Sequence, residues 1–299
     1  MAIFGKLAYA AGVSPEALLV VRFGFAAGLL AMLLLLRPGL LRDPSSPDRR
    51  PGSAQLTLGL LVTALGLGAV GYAAQASLYF AALELMDASL LSLLFYTYPL
   101  LVTFAAVLLG RDRLTPGRCI ALVAASCGAL LVLLGTGRVD FHPLGAALAF
   151  GAAVTYTGYI LVADTVAHRL PPVVLSALVT AGAALTLATS ALVTGGVDLS
   201  LGLQGWFWLA CIAVVSTVLA MLTFFAGLRR TGPSTAAILS TFEPVVTTAL
   251  AALTLDEILT PVQLAGGLLV LSSVAALQVR RTAFPTRSPI RASVTASRQ

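Results

Sequence analysis

The chain has 299 residues, is 59% hydrophobic and only 10% charged, and has a mean hydropathy of +0.98. A soluble domain carries about 25% charged residues because its surface must be solvated, so this composition excludes a soluble enzyme, a disordered chain and a fibrous protein. The turn-punctuated alternation of an outer-membrane barrel is missing as well, which leaves an all-α polytopic membrane protein.

A membrane-crossing helix needs about 20 predominantly apolar residues. Runs of that kind lie near 15–36, 56–80, 88–109, 117–136, 143–165, 172–194, 205–228, 234–254 and 261–279. Ahead of them, Met1 to Gly12 is apolar apart from Lys6 and is closed by a turn at Val13-Ser14-Pro15. It is too short to cross, and Lys6 interrupts it where a signal peptide is apolar. It reads as the C-terminal half of a first helix whose beginning is missing, so ten spans are expected with the first one shortened. Residues 37–55 form a Pro/Ser/Arg-rich connection, and residues 280–299 read as a disordered basic tail.

The net charge of +6 is explained by where the charges stand. With the N-terminus inside, alternate loops and the tail place fifteen arginines on the cytoplasmic side, among them Arg37, Arg42, Arg111, Arg229 and Arg280; Arg138 alone falls outside. Positive residues mark cytoplasmic loops, so both termini are expected in the cytoplasm, with the protein in the cell's inner membrane. Membrane lipid is the partner of such a surface, and no nucleic acid is expected. Three cysteines, Cys119, Cys127 and Cys211, lie in apolar runs without a CxxC spacing. They read as small packing residues, and neither a disulfide framework nor a metal site is expected.

Self-similarity adds the internal organisation. At an offset of 145, residues 79–133 align without a gap on 224–278. Phe80 meets Phe225, Ser89 meets Ser234 and Pro99 meets Pro244, and Leu114-Thr115-Pro116 meets Leu259-Thr260-Pro261. The offset is about half the chain, so each half holds five spans. An odd number per half turns the second half upside down. The charges agree: Arg111-Asp112-Arg113, inside, aligns with Asp256-Glu257-Ile258, outside. Repeats 1–136 and 143–279 are therefore expected as an inverted pair, an architecture in which the solute site lies between the repeats near the midplane.

Phe242-Glu243-Pro244-Val245 followed by Leu255-Asp256-Glu257-Ile258-Leu259-Thr260-Pro261 resembles the drug/metabolite transporter superfamily, EamA type. Tyr98-Pro99-Leu100, the segment from Gly110 to Pro116, and Arg22-Phe23 resemble the same pattern. The resemblance covers essentially the whole chain. It implies a ten-helix inner-membrane carrier, often an exporter of amino acids or other small metabolites, whose first helix helps line a central cavity.

Ionisable groups in the hydrocarbon cost about 2.5–3.5 kcal/mol on insertion scales, so each asks for a reason. Glu243 falls halfway along the run 234–254, with Ser240 and Thr247 on its face at helical spacing. The functional reading is a site for a substrate amine or a proton; the other is a structural carboxylate held by a hydroxyl or by Arg22. Pro99 and Pro244 are candidate kinks, because proline removes a backbone donor. Gly68, Tyr72, Gln75 and Tyr79 share a second face, and Thr155, Tyr156 and Tyr159 cluster in the sixth span. Tyrosine joins an apolar ring to a hydroxyl, which suits a cavity for amphiphilic solutes. The alternative, a tyrosine at the lipid interface, suits Tyr96 and Tyr98 better than Tyr79 or Tyr156. Arg22 either snorkels to the surface or pairs with a carboxylate, and Gly24 and Gly28 permit close helix approach.

Gly66-Leu67-Gly68-Ala69-Val70-Gly71 matches GxGxxG, but it lies in mid-span, where a strand-to-helix phosphate loop cannot form. His142 and His168 fall at opposite span ends, and no Ser/His/Asp set is suggested. The sequence thus points to a non-enzymatic, cofactor-free secondary transporter of a small-molecule solute, working by alternating access, with the proton as candidate coupling ion. An integral-membrane enzyme of lipid or envelope metabolism and a non-transporting interaction protein remain as alternatives.

Overall fold

A computed structural model describes residues 2–41, 58–86, 88–112, 115–134, 142–193, 195–254 and 260–283. Every regular element among them is helical: α1 (Ala2–Ala10), α2 (Pro15–Leu36), α3 (Leu58–Gly66), α4 (Ala73–Leu85), α5 (Ala88–Phe95), α6 (Tyr98–Leu108), α7 (Pro116–Leu134), α8 (Pro143–Ala167), α9 (Pro172–Val193), α10 (Leu203–Cys211), α11 (Ala220–Thr231), α12 (Pro233–Ser240), α13 (Phe242–Thr254) and α14 (Pro261–Ala283). The protein is a multi-pass membrane protein. Among the described residues, six helical runs are long and apolar enough to cross a bilayer, and α7 and α14 contribute shorter apolar stretches. Large apolar side chains such as Leu35, Leu192, Val193 and Leu203 stand exposed on the outer faces, where a soluble protein would hide them.

Six of these helices begin with proline, whose missing N–H costs nothing in a first turn. Ser14 caps α2 by accepting the Ala17 N–H at 3.2 Å, and His142 Nδ1 does the same for α8 from Gly145. α14 continues to Ala283, so the first residues of the expected tail are helical; 284–299 lie outside the described residues, as does most of the 37–55 connection.

Backbone irregularities recur between the halves. A π-helical turn, Leu67–Tyr72, joins α3 to α4, and another, Ile212–Leu219, joins α10 to α11; they begin 145 residues apart. α5 ends at Phe95 and α12 at Ser240, again 145 apart, and each is followed by a break and a second short helix. The runs 88–109 and 234–254, expected as continuous helices, are therefore each two. The physical reason is Pro99 and Pro244, which sit in the first turn of α6 and α13 and cannot donate back into the preceding turn. Thr241 closes α12, its Oγ1 donating to the Ile238 carbonyl at 2.6 Å.

Two tight crossings hold the bundle. α7 and α14 pack antiparallel through Gly128 and Gly266: a Cβ on either would stand 2.7 or 2.6 Å from the other's carbonyl oxygen. α9 crosses the first π turn, where a Cβ on Gly68 would lie 1.9 Å from the Val179 oxygen. Gly24 and Gly28 do not make the close approach expected of them. A Cβ at either meets nothing within 4 Å, because both point away from the bundle and are exposed.

Candidate solute site

The two helix breaks come together, α6 packing against α12 with Tyr98 beside Ser240. The first leaves the turn Tyr96-Thr97 and opens α6 with Tyr98; the second leaves Thr241, which is buried, and sets Glu243 in the first turn of α13. Glu243 is thus neither in mid-helix nor buried; it is exposed, while Pro244 beside it is buried. Its carboxylate lies beside the Tyr96 hydroxyl and interacts electrostatically with Tyr79, Tyr98 and Tyr156. Ser240, the last residue of α12, meets the Tyr98 hydroxyl and donates to the Ala236 carbonyl at 3.0 Å. The Thr247 side chain lies outside the described residues.

From Glu243 a continuous path of aromatic rings leads into the bundle. Tyr96 and Tyr98 have centroids 5.9 Å apart, Tyr98 and Tyr156 4.9 Å, Tyr156 and Tyr159 5.7 Å in a near-parallel stack, and Tyr159 and Tyr72 5.6 Å. Phe95 sits at the branch, touching Tyr79, Tyr96, Tyr98 and Tyr156. The chain contains seven tyrosines. Six of them belong to this network, and the seventh, Tyr9 on α1, interacts electrostatically with Tyr79.

At the far end stands Arg22. Arg22 is 3% exposed, and its guanidinium donates from Nε to Thr217 Oγ1 at 2.8 Å and from Nη2 to the Tyr72 hydroxyl at 3.0 Å. It therefore does not snorkel: the hydroxyls of two different helical rods draw it inward. Of the other expected residues, Tyr79, Tyr156 and Tyr159 join the network, and Gln75 is buried on the same rod. The Lys6 side chain lies outside the described residues.

Tyr96 and Tyr98 are where the sequence reading fails most plainly. Tyr98 is only 2% exposed, and both rings are central to the network instead of at the lipid surface. The signal was available, since at the 145-residue offset Tyr98 is the counterpart of Glu243. Phe95 offered no such signal.

Chemically, the site sets one carboxylate against the negative faces and hydroxyls of several tyrosines, a combination that attracts a cationic or amphiphilic group. Among the described residues no cluster of three His, Cys, Asp or Glu side chains is placed to hold a metal ion.

The family model described as the EamA-like transporter family matches residues 1–134 and again 143–278. An uncharacterized transporter of Bacillus subtilis (strain 168), YcbK, is 28% identical over 273 residues, covering 88% of this chain and 83% of that protein. A solved crystal structure superposes with a TM-score of 0.76 at 21% identity, over 95% of this chain and 93% of that one; at that identity the likeness speaks for the fold.

Proposed function

Because the chain belongs to the EamA-like transporter family, we propose that it is a secondary carrier that exports a small metabolite, an amino acid or an amphiphilic amine, across the inner membrane. In this reading it is built of ten spans in two five-helix repeats, 1–136 and 143–279, of inverted topology. It works by alternating access, with both termini cytoplasmic as the arginine distribution requires. The observation that carries the reading is Glu243 at the break between α12 and α13, its carboxylate beside Tyr96 and within electrostatic reach of the tyrosine network. Broken helices in corresponding places of two halves are a feature of carrier binding sites, and exposed backbone is tolerated at membrane depth only where it is buried in protein or lines a wet cavity.

The carboxylate also supplies a route to coupling. One acidic group holds either an ammonium group or a proton, and not both. A solute leaving with its amine on Glu243 is then exchanged for a proton returning on the same oxygen. Ser240, Thr247, Tyr72, Gln75, Tyr79, Tyr156 and Tyr159 are assigned to solute binding around it, and Pro99 and Pro244 to the bending points. The proposal assigns no catalytic residue and no cofactor.

Uptake into proteoliposomes tests this. A pooled panel of amino acids and small amines is offered with and without a pH gradient, to wild type and to Glu243→Gln. Gradient-stimulated uptake of some members, lost in the variant, is the expected result. Gradient-independent uptake that survives in Glu243→Gln would overturn the coupling role, and no uptake by a folded wild type would overturn the carrier reading for these solutes.

A further inference from the structure

α2 and α9 each have 22 residues and start with proline, Pro15 against Pro172. Their offset is 157 instead of 145, because the connection after α2 is longer than the one after α9. On this offset Arg22 stands where the second half has Val179. The two halves also embrace in corresponding ways: α9 lies across the first π turn and α2 across the second.

The two crossings are built from different materials. At the first, backbone meets backbone. A Cβ on Gly68 would lie 1.9 Å from the Val179 oxygen, and one on Gly182 would lie 2.2 Å from the Leu65 oxygen. Backbones that close leave no room for a side chain between them. At the second, the corresponding place is taken by the Arg22 guanidinium, which donates to Thr217 and Tyr72. Thr217 and Tyr72 are counterparts at the offset of 145, one in each π turn and so one in each half.

We propose that Arg22 is a positioning residue that latches the two halves in the described state, and that Tyr72 connects this latch to the solute site. The inference rests on the carrier reading for its purpose, though not for its geometry. The guanidinium fork holds two acceptors only while they stay within reach of one rigid plane. Relative rotation of the halves about the glycine crossing carries Tyr72 and Thr217 apart, and Arg22 then loses one arm. Charge-assisted bonds in a buried site are strong, so the loss separates two discrete arrangements of the kind that switching needs. The π turns are suited to yield, since their wider hydrogen-bond pattern interrupts the regular helix and such turns often mark functional sites. Tyr72 serves both parts. Its hydroxyl is an arm of the latch, while its ring lies 5.1 Å from Phe23 and 5.6 Å from Tyr159, at the end of the path that starts at Glu243. A solute seated against these rings shifts the hydroxyl that Arg22 holds.

Hydrogen exchange of the full chain in nanodiscs, read by mass spectrometry, tests the latch in wild type, Tyr72→Phe, Thr217→Val and Arg22→Lys. Each hydroxyl variant removes one acceptor and keeps the side chain's bulk. The expected result is a rise of about tenfold in exchange in both π turns, 67–72 and 212–219, including the turn in the unmutated half, with the α7–α14 pair unchanged. A rise confined to the mutated half, one spread evenly over the bundle, or none at all would overturn the latch. If Arg22→Lys fails to fold, the two hydroxyl variants still decide. Transport kinetics give the second readout. Thr217→Val lies outside the proposed solute site, so KM stays unchanged while turnover shifts several-fold; a change in KM with turnover as in wild type would overturn the latch. A wild type that carries no solute would count against the carrier reading, while the exchange data would still decide the latch.

Discussion

Gly182→Ala is the sharpest test of how the halves are joined. The added Cβ would lie 2.2 Å from the Leu65 oxygen, 2.9 Å from the Ala69 nitrogen and 3.1 Å from the Leu65 carbon. Ordinary contact begins near 3.4 Å, so relief requires a movement of about 1 Å, which already forfeits up to half of each neighbouring dispersion contact. The obstructing atoms are all backbone, so no side chain can rotate aside, and α9 must move bodily from the π turn. Overpacking costs typically 1–3 kcal/mol; with a rigid obstacle the upper end applies, about 3 kcal/mol. The assay is equilibrium unfolding in mixed micelles, with Gly158→Ala as control. A Cβ on Gly158 meets nothing within 4 Å, and removing a helix-interior glycine is worth roughly 0.5–1 kcal/mol in the stabilising direction. Equal stability of the two variants would refute the close crossing, and with it the pivot.

Three further outcomes are expected. Phe95→Leu removes the ring that touches four tyrosines. With each aromatic pair worth about 0.5–1.5 kcal/mol, unfolding should come about 2 kcal/mol sooner, and solute affinity should fall by at least as large a factor as in Tyr79→Phe, which keeps its ring. Thr241→Val deletes the buried bond from Thr241 Oγ1 to Ile238 and should cost about 1 kcal/mol by the same unfolding assay, with the helix break retained. Asp198, in the connection after α9, is held below the usual carboxylate range by hydrogen bonds from the Ser200 hydroxyl and N–H. A lowered folded-state value contributes stability above the unfolded pKa that is lost as pH falls through the folded one. Ser200→Ala should therefore flatten the acid side of the unfolding midpoint against pH, slightly, because the group is fully exposed.

Apolar run length made the spans legible, because a helix with every backbone bond satisfied internally is the form a single apolar segment can take in lipid. The family was legible from Phe242-Glu243-Pro244-Val245 and the paired Leu-Thr-Pro turns. What remained hidden was depth and local winding. Tyr96 and Tyr98 read as interfacial residues because run ends are blurred by several residues, and one turn is enough to move a ring from the lipid surface to the interior. Proline signalled a bend at 99 and 244, yet only the structure showed that each run parts into two helices and that Glu243 emerges at the start of the second. The π turns have no compositional mark of their own. The glycines near the first, Gly66, Gly68 and Gly71, look interchangeable in sequence, but Gly68 alone meets backbone. Gly24 and Gly28 carried the stronger packing motif and pack against nothing, since spacing gives a shared face but not its direction.

The halves agree in backbone and differ in side chains, and the candidate function lies in the difference. π turns, helix breaks and the starts of α7 and α14 recur at one offset, so the two halves bend in corresponding places. At those places Tyr98 answers to Glu243, Tyr72 to Thr217, and Arg22 to Val179. A fully symmetric pair would carry either two carboxylates or none, and either two latches or none. Two carboxylates at one site would repel and would favour protonation of one of them; two Arg latches would bring a second buried cation beside the rings proposed to receive an amine. One of each avoids both costs. The second half supplies the carboxylate, both halves supply the aromatic rings, and the first half supplies the guanidinium that bonds Thr217 and Tyr72. In the proposed carrier, inverted repetition would supply two related states of one frame, and divergence at three pairs of positions would decide what the frame holds and how firmly each state is kept.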